Sequence, residues 1–534
     1  MRSPVAVLPV RTPLITLSPP SPIAVLPVTA FSLPEVPLAE EPPASPSPAD
    51  LPPIVVPPVT APAPRVLLDA ELEPSAPPPI ATAVSAPAET IAEYVPAQPW
   101  TWPTLPWRDW VLEPISPAVS RSLARFAALL VFAVCTLNIF FLRWENFGYY
   151  WYRPLLNAYS IGVATFILSR FLIGLFYRPP KNVGLEPTVS IVITALNEEE
   201  AIFRTIECCY DVEYPRAKLE VVVVDDGSTD ATGNEIARAK ELWPDLLVES
   251  FAVNRGKREA MAAGARLATG EVLVYVDSDS FLRHDAVRKI VQGFADPFVA
   301  AIAGHTDVAN PRENPLTRMQ EVRYYVAFRV LKAAESVFGT VTCCPGCFSA
   351  YRRSCVLEVL DGWLDQRFLG VRATFGDDRS LTNLLLRHHK VLYSSEAVAA
   401  TIVPERHKKF LKQQVRWKKS WLRECLIAAT FMWKKHPIAA LGFYAQLVFP
   451  ILAPILLLRA FLWLPLVSGD PLSMVLYAYG VMLIGLTFSS SYLFWRTHGD
   501  WIYGVYFTVY YMFVLVWQMP YAIVTSRDNR WGTR

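Results

Sequence analysis

The chain has 534 residues, of which 52% are hydrophobic and only 18% charged, which excludes an ordinary soluble globular protein and points to segments that cross a bilayer. The net charge of +2 hides an asymmetry. Residues 1–118 carry four Arg and eleven acidic residues, a balance of −7, whereas the remainder stands at +9 and is expected to meet phosphates or a lipid surface.

Residues 1–118 also hold 30 of the 47 Pro. Proline fixes φ and removes a backbone donor, so neither helix nor sheet propagates there. The segment is expected to be a disordered, partly polyproline-II tail. Its composition fits either a ligand for an SH3-like partner or a plain spacer. It lacks the basic region and single apolar core of a signal peptide.

Two membrane spans are expected next, over Leu123–Leu142 and Leu155–Tyr177, each near the ~20 residues that a helix needs to cross hydrocarbon. Tyr149, Tyr150, Trp151 and Tyr177 sit where interfacial aromatics belong. Arg170 either snorkels or faces a polar channel.

From Thr188 to Arg406 the pattern changes. Short β-branched runs begin at Val189, Leu219, Val272 and Val299, with helical patterns around 199–209, 232–243 and 257–268 between them. Continuous apolar strands alternating with helices predict a parallel sheet covered on both faces. Ligands bind such sheets at the carboxyl ends of the strands. Here those ends carry Asn197-Glu198-Glu199, Asp225-Asp226 and Asp277-Ser278-Asp279.

The stretch Lys408–Lys435 mixes Lys and Arg with Trp417, Trp421 and Trp433, and predicts one or two amphipathic helices on the membrane surface. Spans are expected over Ile438–Trp463 and Leu472–Trp495, and their connecting loop, free of Lys and Arg, is placed outside. The stretch Trp501–Val524 either spans or lies at the interface.

An Asp-x-Asp after a buried strand sets two carboxylates on one side of an extended segment. Such hard oxygen ligands suit Mg2+ or Mn2+ held jointly with phosphates, which makes Asp277 and Asp279 the metal candidates. Asn254-Arg255-Gly256-Lys257-Arg258 opens a helix, where cations and free N–H groups favour a diphosphate. The eight Cys form no spaced framework. Cys344-Pro345-Gly346-Cys347 is a single C-x-x-C, short of the about four ligands zinc takes, and reads as reduced thiols in a tight loop.

Together, Asp225-Asp226-Gly227-Ser228, Lys257-Arg258, Asp277-Ser278-Asp279, Phe375-Gly376-Asp377-Asp378-Arg379 and Gln413-x-x-Arg416-Trp417 resemble a processive family 2 glycosyltransferase. Gly304-His305-Thr306, Phe368-Leu369-Gly370 and the terminal Trp531-Gly532-Thr533-Arg534 resemble hyaluronan synthases in particular. The cysteine-rich loop 343–347 departs from them and resembles chitin and nodulation chitin-oligosaccharide synthases. The resemblance covers residue 120 to the end.

It implies an α/β GT-A (Rossmann-like) cytosolic domain inserted between the transmembrane helices of a polytopic plasma-membrane protein. The divisions are 1–118 (tail), 119–180 (two spans), 181–406 (transferase domain), 407–436 (interfacial helices) and 437–534 (C-terminal membrane region ending in a gating segment). It implies a UDP-sugar site of Asn197, Glu198, Asp225, Asp226, Lys257, Arg258, Asp277, Arg416 and Trp531. Asp378 becomes the catalytic base, with Asp377 and Arg379 as its support. Gln413, Arg416, Trp417, Cys344 and Gly346 become acceptor contacts. The implied partners are UDP-sugars (UDP-GlcNAc, with or without UDP-GlcUA), the growing polysaccharide and the bilayer, with no nucleic acid. A non-processive lipid-linked sugar transferase and a non-enzymatic scaffold are the rival readings.

Overall fold

The computed structural model describes residues 118–148, 154–496 and 499–528, all within one compact unit. Most of the Pro-rich tail, the Tyr149–Trp151 aromatics and the terminal Trp531-Gly532-Thr533-Arg534 lie outside the described residues.

Among the described residues ten strands follow one another: β1 (Val189–Ala195), β2 (Leu219–Asp225), β3 (Leu247–Ser250), β4 (Val272–Asp277), β5 (Ser280–Leu282), β6 (Val299–Val308), β7 (Ser349–Arg352), β8 (Arg367–Phe368), β9 (Val371–Arg372) and β10 (Lys390–Thr401). β8 and β9 form a separate hairpin, and the other eight form one sheet in the order β3-β2-β1-β4-β7-β6-β10-β5. β1 explains why the central runs read as continuously apolar. Its Ile191 and Ile193 pack with Ile202, Ile206 and Ile290 on one face, and its Val192 packs with Ala260, Met261 and Ala265 on the other. A strand buried on both faces has no position for a polar alternation. The helices Ile202–Tyr210, Thr232–Leu242 and Lys257–Leu267 cover the sheet where the periodicity places them.

The sheet is mixed rather than parallel throughout. β1 to β4 are mutually parallel, and β6 is parallel to β10. β7 runs antiparallel between β4 and β6, and β5 antiparallel to β10. Strands of three and four residues carry too little periodicity to be read from sequence. The parallel register aligns the strand ends. Thr194 stands opposite Asp277, and Ala195 opposite Asp225, so the acidic residues share one edge.

Among the described residues, four helices are long and apolar enough to cross a membrane: Arg121–Trp144, Asn157–Gly174, Pro437–Val467 and Leu472–Arg496. Three of them meet at Cys135, Ile139, Ala164 and Leu483. Leu129, Leu137, Phe140 and Phe141 face outward, each more than half exposed, as hydrocarbon-facing residues do. Arg170 neither snorkels outward nor stands in a channel. It is 6% exposed, its guanidinium lies over the Phe166 ring, and Gly442 makes room for it, since a Cβ there would meet Nη2 at 2.7 Å. The stretch 499–524 is broken into Gly499–Leu515 and Gln518–Val524, bent by 44°.

The basic stretch after the domain is one 26-residue helix, His407–Met432. One face of it is packed inside the protein. Phe410, Gln414, Leu422, Cys425 and Phe431 are buried along it, against the domain and its neighbours. The domain is also fastened to the helix Leu472–Arg496. Tyr492 donates to Glu321 at 2.7 Å, and Arg496 pairs with Asp307 at 2.6 Å. His305 sits behind Asp307, and burial first, then Arg329, pushes it down to about 4. It is therefore neutral near pH 7, and Arg496 meets the Asp307 charge.

Candidate active site

A cavity of about 1580 Å³ opens at the carboxyl ends of β1 and β4. Glu198, Asp226, Asp277 and Asp279 line one end. Gln446 and Pro450, from the apolar helix Pro437–Leu458, line the other, with Tyr511 and Met519 of the bent pair. The cavity thus joins the acidic edge of the sheet to the apolar helices.

At the acidic end, Asp226 accepts from the backbone N–H of Arg255 at 2.7 Å and of Gly256 at 3.0 Å. Burial raises its carboxyl above the ordinary range, and those two donors pull it back. Asp225 does not line the cavity. Its Oδ1 accepts from the Ser228 N–H (3.0 Å) and hydroxyl (2.6 Å) and shapes the turn beneath. Asn197 is exposed with φ 55°, and its amide oxygen accepts from the Thr229 N–H, so it too shapes the edge rather than lining it.

Lys257 opens the helix Lys257–Leu267 and pairs with Asp277. Burial works against the ammonium, but Asp277 outweighs it and the net shift is upward. Gly346 lies directly over this pair. A Cβ there would stand 3.2 Å from both Asp277 oxygens and 3.3 Å from Lys257 Nζ. Asp279 also lines the cavity, its Oδ1 3.4 Å from the Thr401 hydroxyl. Among the described residues no group of three or more His, Cys, Asp or Glu forms a metal cluster. Asp277 and Asp279 are therefore a two-carboxylate set, which suits a hard cation completed by phosphate and water rather than an all-protein cage.

Arg258 requires a correction. It does not reach toward a diphosphate. Its Nε donates to Asp377 Oδ1 at 2.8 Å, Nη1 to the Trp363 carbonyl and Gln366, and Nη2 to Ser380 and, at 3.5 Å, to the Phe375 carbonyl. A guanidinium has five donors, and all five are spent inside the protein. Arg258 and Asp377 are a buried strut that holds the loop before Asp378.

Asp378 lies half-buried in the first turn of the helix Asp377–His388 and lines the cavity. Its Oδ1 accepts from the Arg379 N–H at 2.8 Å. The preceding Gly376 adopts φ 77°, where side chains are strained, and a Cβ there would run into Ser420 of the helix His407–Met432. Glycine lets the two helices touch at this point, which sets Asp378 beside the Gln-x-x-Arg-Trp cluster.

Gln413, Arg416 and Trp417 all line the cavity. Cys344 does not. It is fully buried, its N–H donates to Thr382 at 2.9 Å, and burial lifts its thiol to about 12. Cys343 and Cys347 line the cavity instead, and the thiol of Cys343 lies 3.5 Å from Asp378 Oδ2 and is pushed up to about 11 by burial and then by Asp378. It stays a neutral thiol at physiological pH. Sequence reasoning assigns no site role to Lys332 or Lys418, and Arg323 enters it only through the Arg323-Tyr324 pair that resembles hyaluronan synthases, yet all three line the cavity. They belong to ordinary-looking helices, and only packing turns them inward.

The sequence pattern of glycosyl transferase family 2 matches residues 190–360. An N-acetylglucosaminyltransferase of Rhizobium sp. (strain N33) is 31% identical over 393 residues, 72% of this chain and 83% of the relative. The chain belongs to family 2 of the glycosyltransferases. A hyaluronan synthase of Streptococcus pyogenes serotype M3 (strain MGAS315) is 28% identical over 408 residues, 75% of this chain and 95% of the relative. The solved mannosyltransferase of Pyrobaculum calidifontis, in complex with GDP-Man and Mn2+, superposes with a TM-score of 0.50 at 22% identity, covering 70% of this chain and 97% of that one. This likeness shows a GT-A fold. The family 2 transferase described here is therefore a glycosyltransferase built on that fold, with apolar helices long enough to span a membrane on either side of it.

Proposed function

We propose that this transferase is a processive, inverting β-glycosyltransferase that polymerises UDP-GlcNAc and UDP-GlcUA into a hyaluronan-type polysaccharide. Its sheet domain lies on the cytosolic side of the plasma membrane, and the product leaves between its own helices. The observation that carries this reading is the single cavity running from Asp277 and Asp279, past Asp378, to Gln446 and Pro450 of an apolar helix.

In this reading Asp226 and the loop it holds receive the nucleotide, and Lys257 meets the diphosphate. Asp277 and Asp279 fit Mg2+ or Mn2+, and the Mn2+ in the Pyrobaculum complex supports a divalent ion. Such an ion offsets charge on the UDP leaving group. Asp378 takes the proton of the acceptor hydroxyl as that oxygen attacks the anomeric carbon from the face opposite UDP. One displacement converts the α-linked donor into a β-linkage, and Cys343, a neutral thiol, leaves the Asp378 carboxylate available. Gln413, Arg416 and Trp417 hold the acceptor, with the Trp417 ring against a sugar face.

A Gly346→Ala enzyme is expected to bind its UDP-sugar roughly tenfold more weakly, about 1.4 kcal/mol, because the new methyl displaces the Lys257–Asp277 pair. Donor KM measured at saturating acceptor checks this, and an unchanged KM removes that pair from the donor site.

A second reading, a chitin-type synthase using UDP-GlcNAc alone, is favoured by the Rhizobium relative and by Cys343 beside Asp378. Donor omission separates the two. The hyaluronan reading expects polymer only when both UDP-sugars are present, and that polymer is cut by hyaluronidase. Chitinase-sensitive product from UDP-GlcNAc alone replaces it with the second.

A further inference from the structure

Two cations in the membrane-side part of the cavity have no role in the chemistry above. Arg323, on the helix Pro315–Val326, places its guanidinium 5.5 Å from the Trp417 ring centre and 5.4 Å from that of Phe507. Its Nη1 is buried without a hydrogen-bond partner among the described residues. Lys418, one residue after Trp417, places its ammonium 3.3 Å from the Gln518 amide oxygen and 5.5 Å from the Tyr511 ring centre. Both residues line the cavity. Among the described residues, the charged and titratable groups facing them are Tyr324 and Tyr511 for Arg323, and Arg323 and Tyr511 for Lys418, with no carboxylate.

Two like charges held together between aromatic rings repel each other and lose hydration. A neutral acceptor chain gives no return on that cost. An anionic one does, because a carboxylate that meets both cations returns charge-assisted bonds to groups already partly desolvated. Aromatic faces beside the cations supply the platform for the sugar ring that bears the carboxylate.

We propose that Arg323 and Lys418 form a carboxylate subsite for a uronic acid residue of the growing chain, next to the sugar on Trp417. The inference rests on the polymerase reading above and assigns two residues of this chain to the uronate sugars of that polymer. It also carries a pH signature. Burial first, then Arg323, pushes Lys418 down to about 7. The empty subsite therefore holds both charges below pH 7 and loses one as pH rises through it. Uronate affinity should fall by up to tenfold per pH unit above 7, until the bound-state pKa is reached.

The test uses the full chain in lipid nanodiscs and titration calorimetry with three probes: a hyaluronan tetrasaccharide, chitotetraose and UDP. The wild type is expected to bind the uronate tetrasaccharide at least tenfold more tightly than chitotetraose at pH 6.5. Lys418→Gln and Arg323→Gln are expected to erase that preference while chitotetraose still binds. Lys418→Arg is expected to keep the preference and lose its decline above pH 7. Continued binding of chitotetraose shows that the variants are folded. If the wild type makes polymer from both donors but Lys418→Gln keeps the tenfold preference, the subsite is overturned and the polymerase reading stands. If the variants lose UDP affinity instead, the cations serve the nucleotide phosphates, and the subsite is again overturned. A wild type that binds chitotetraose equally well or better, and uses no UDP-GlcUA, overturns both.

Discussion

An Asp378→Asn enzyme is expected to lose about 10²–10⁴-fold of its polymerising rate, the span that a positioned general base contributes. The amide keeps the size and the hydrogen-bond acceptor for the Arg379 N–H, seen at 2.8 Å, but cannot take a proton. The loop should therefore stay in place. UDP affinity should remain near the wild-type value, because Asp226 and Lys257 lie on other elements. Polymer yield from radiolabelled donors and UDP binding by calorimetry check the two halves separately. Near-normal yield removes Asp378 from the base role, and a parallel loss of UDP binding turns it into a donor residue.

The second large effect concerns stability. Arg258→Met leaves the Asp377 carboxylate, 5% exposed, without the cation that meets it at 2.8 Å. Breaking one partner of a buried ion pair costs about 3–5 kcal/mol. For a domain of this size that corresponds to a fall of roughly 10 °C in unfolding temperature. The loss should spread, because Gln366 bridges Arg258 to Glu424, which also pairs with Arg423 at 2.8 Å. Removing both charges with Arg258→Met and Asp377→Leu should recover part of the loss, since no lone buried charge remains. Thermal unfolding in detergent measures both. A single variant as stable as the wild type would mean that the pair is not structural and would return Arg258 to the diphosphate.

Arg258 shows where sequence reading stopped. The strands were legible because burial on both faces writes a continuous run such as Val221–Val224, and the acids at their ends mark the edge that binds. The long apolar helices were legible from length and hydropathy alone. What could not be read was which of two adjacent cations faces the cavity. Lys257 and Arg258 stand next to each other at the start of a helix, about 100° apart around its axis. One points to Asp277 and the other into the core, and only the position of Asp377, more than a hundred residues later, decides which. Cys343 and Cys344 present the same ambiguity in a loop. The packing of Lys408–Lys435 against the domain was not legible, because its buried polar partners, Asn383 and Gln366, come from elsewhere in the chain. The β7 insertion was hidden by its length of four residues.

The helix His407–Met432 has a mechanical consequence. It is a rod some 39 Å long at 1.5 Å per residue, and Trp417 stands only seven residues from Glu424. Glu424 is fully buried among Arg423, Gln366 and Asn383, bonds that tolerate little displacement. The rod is thus bolted to the sheet domain close to its aromatic ring. If a polymer advances by one sugar per cycle, the stationary part is Trp417 and the moving part is the sugar chain. Translocation would then be a sliding of rings over a fixed bearing, and its friction would be set by how easily one sugar face replaces the next on that indole.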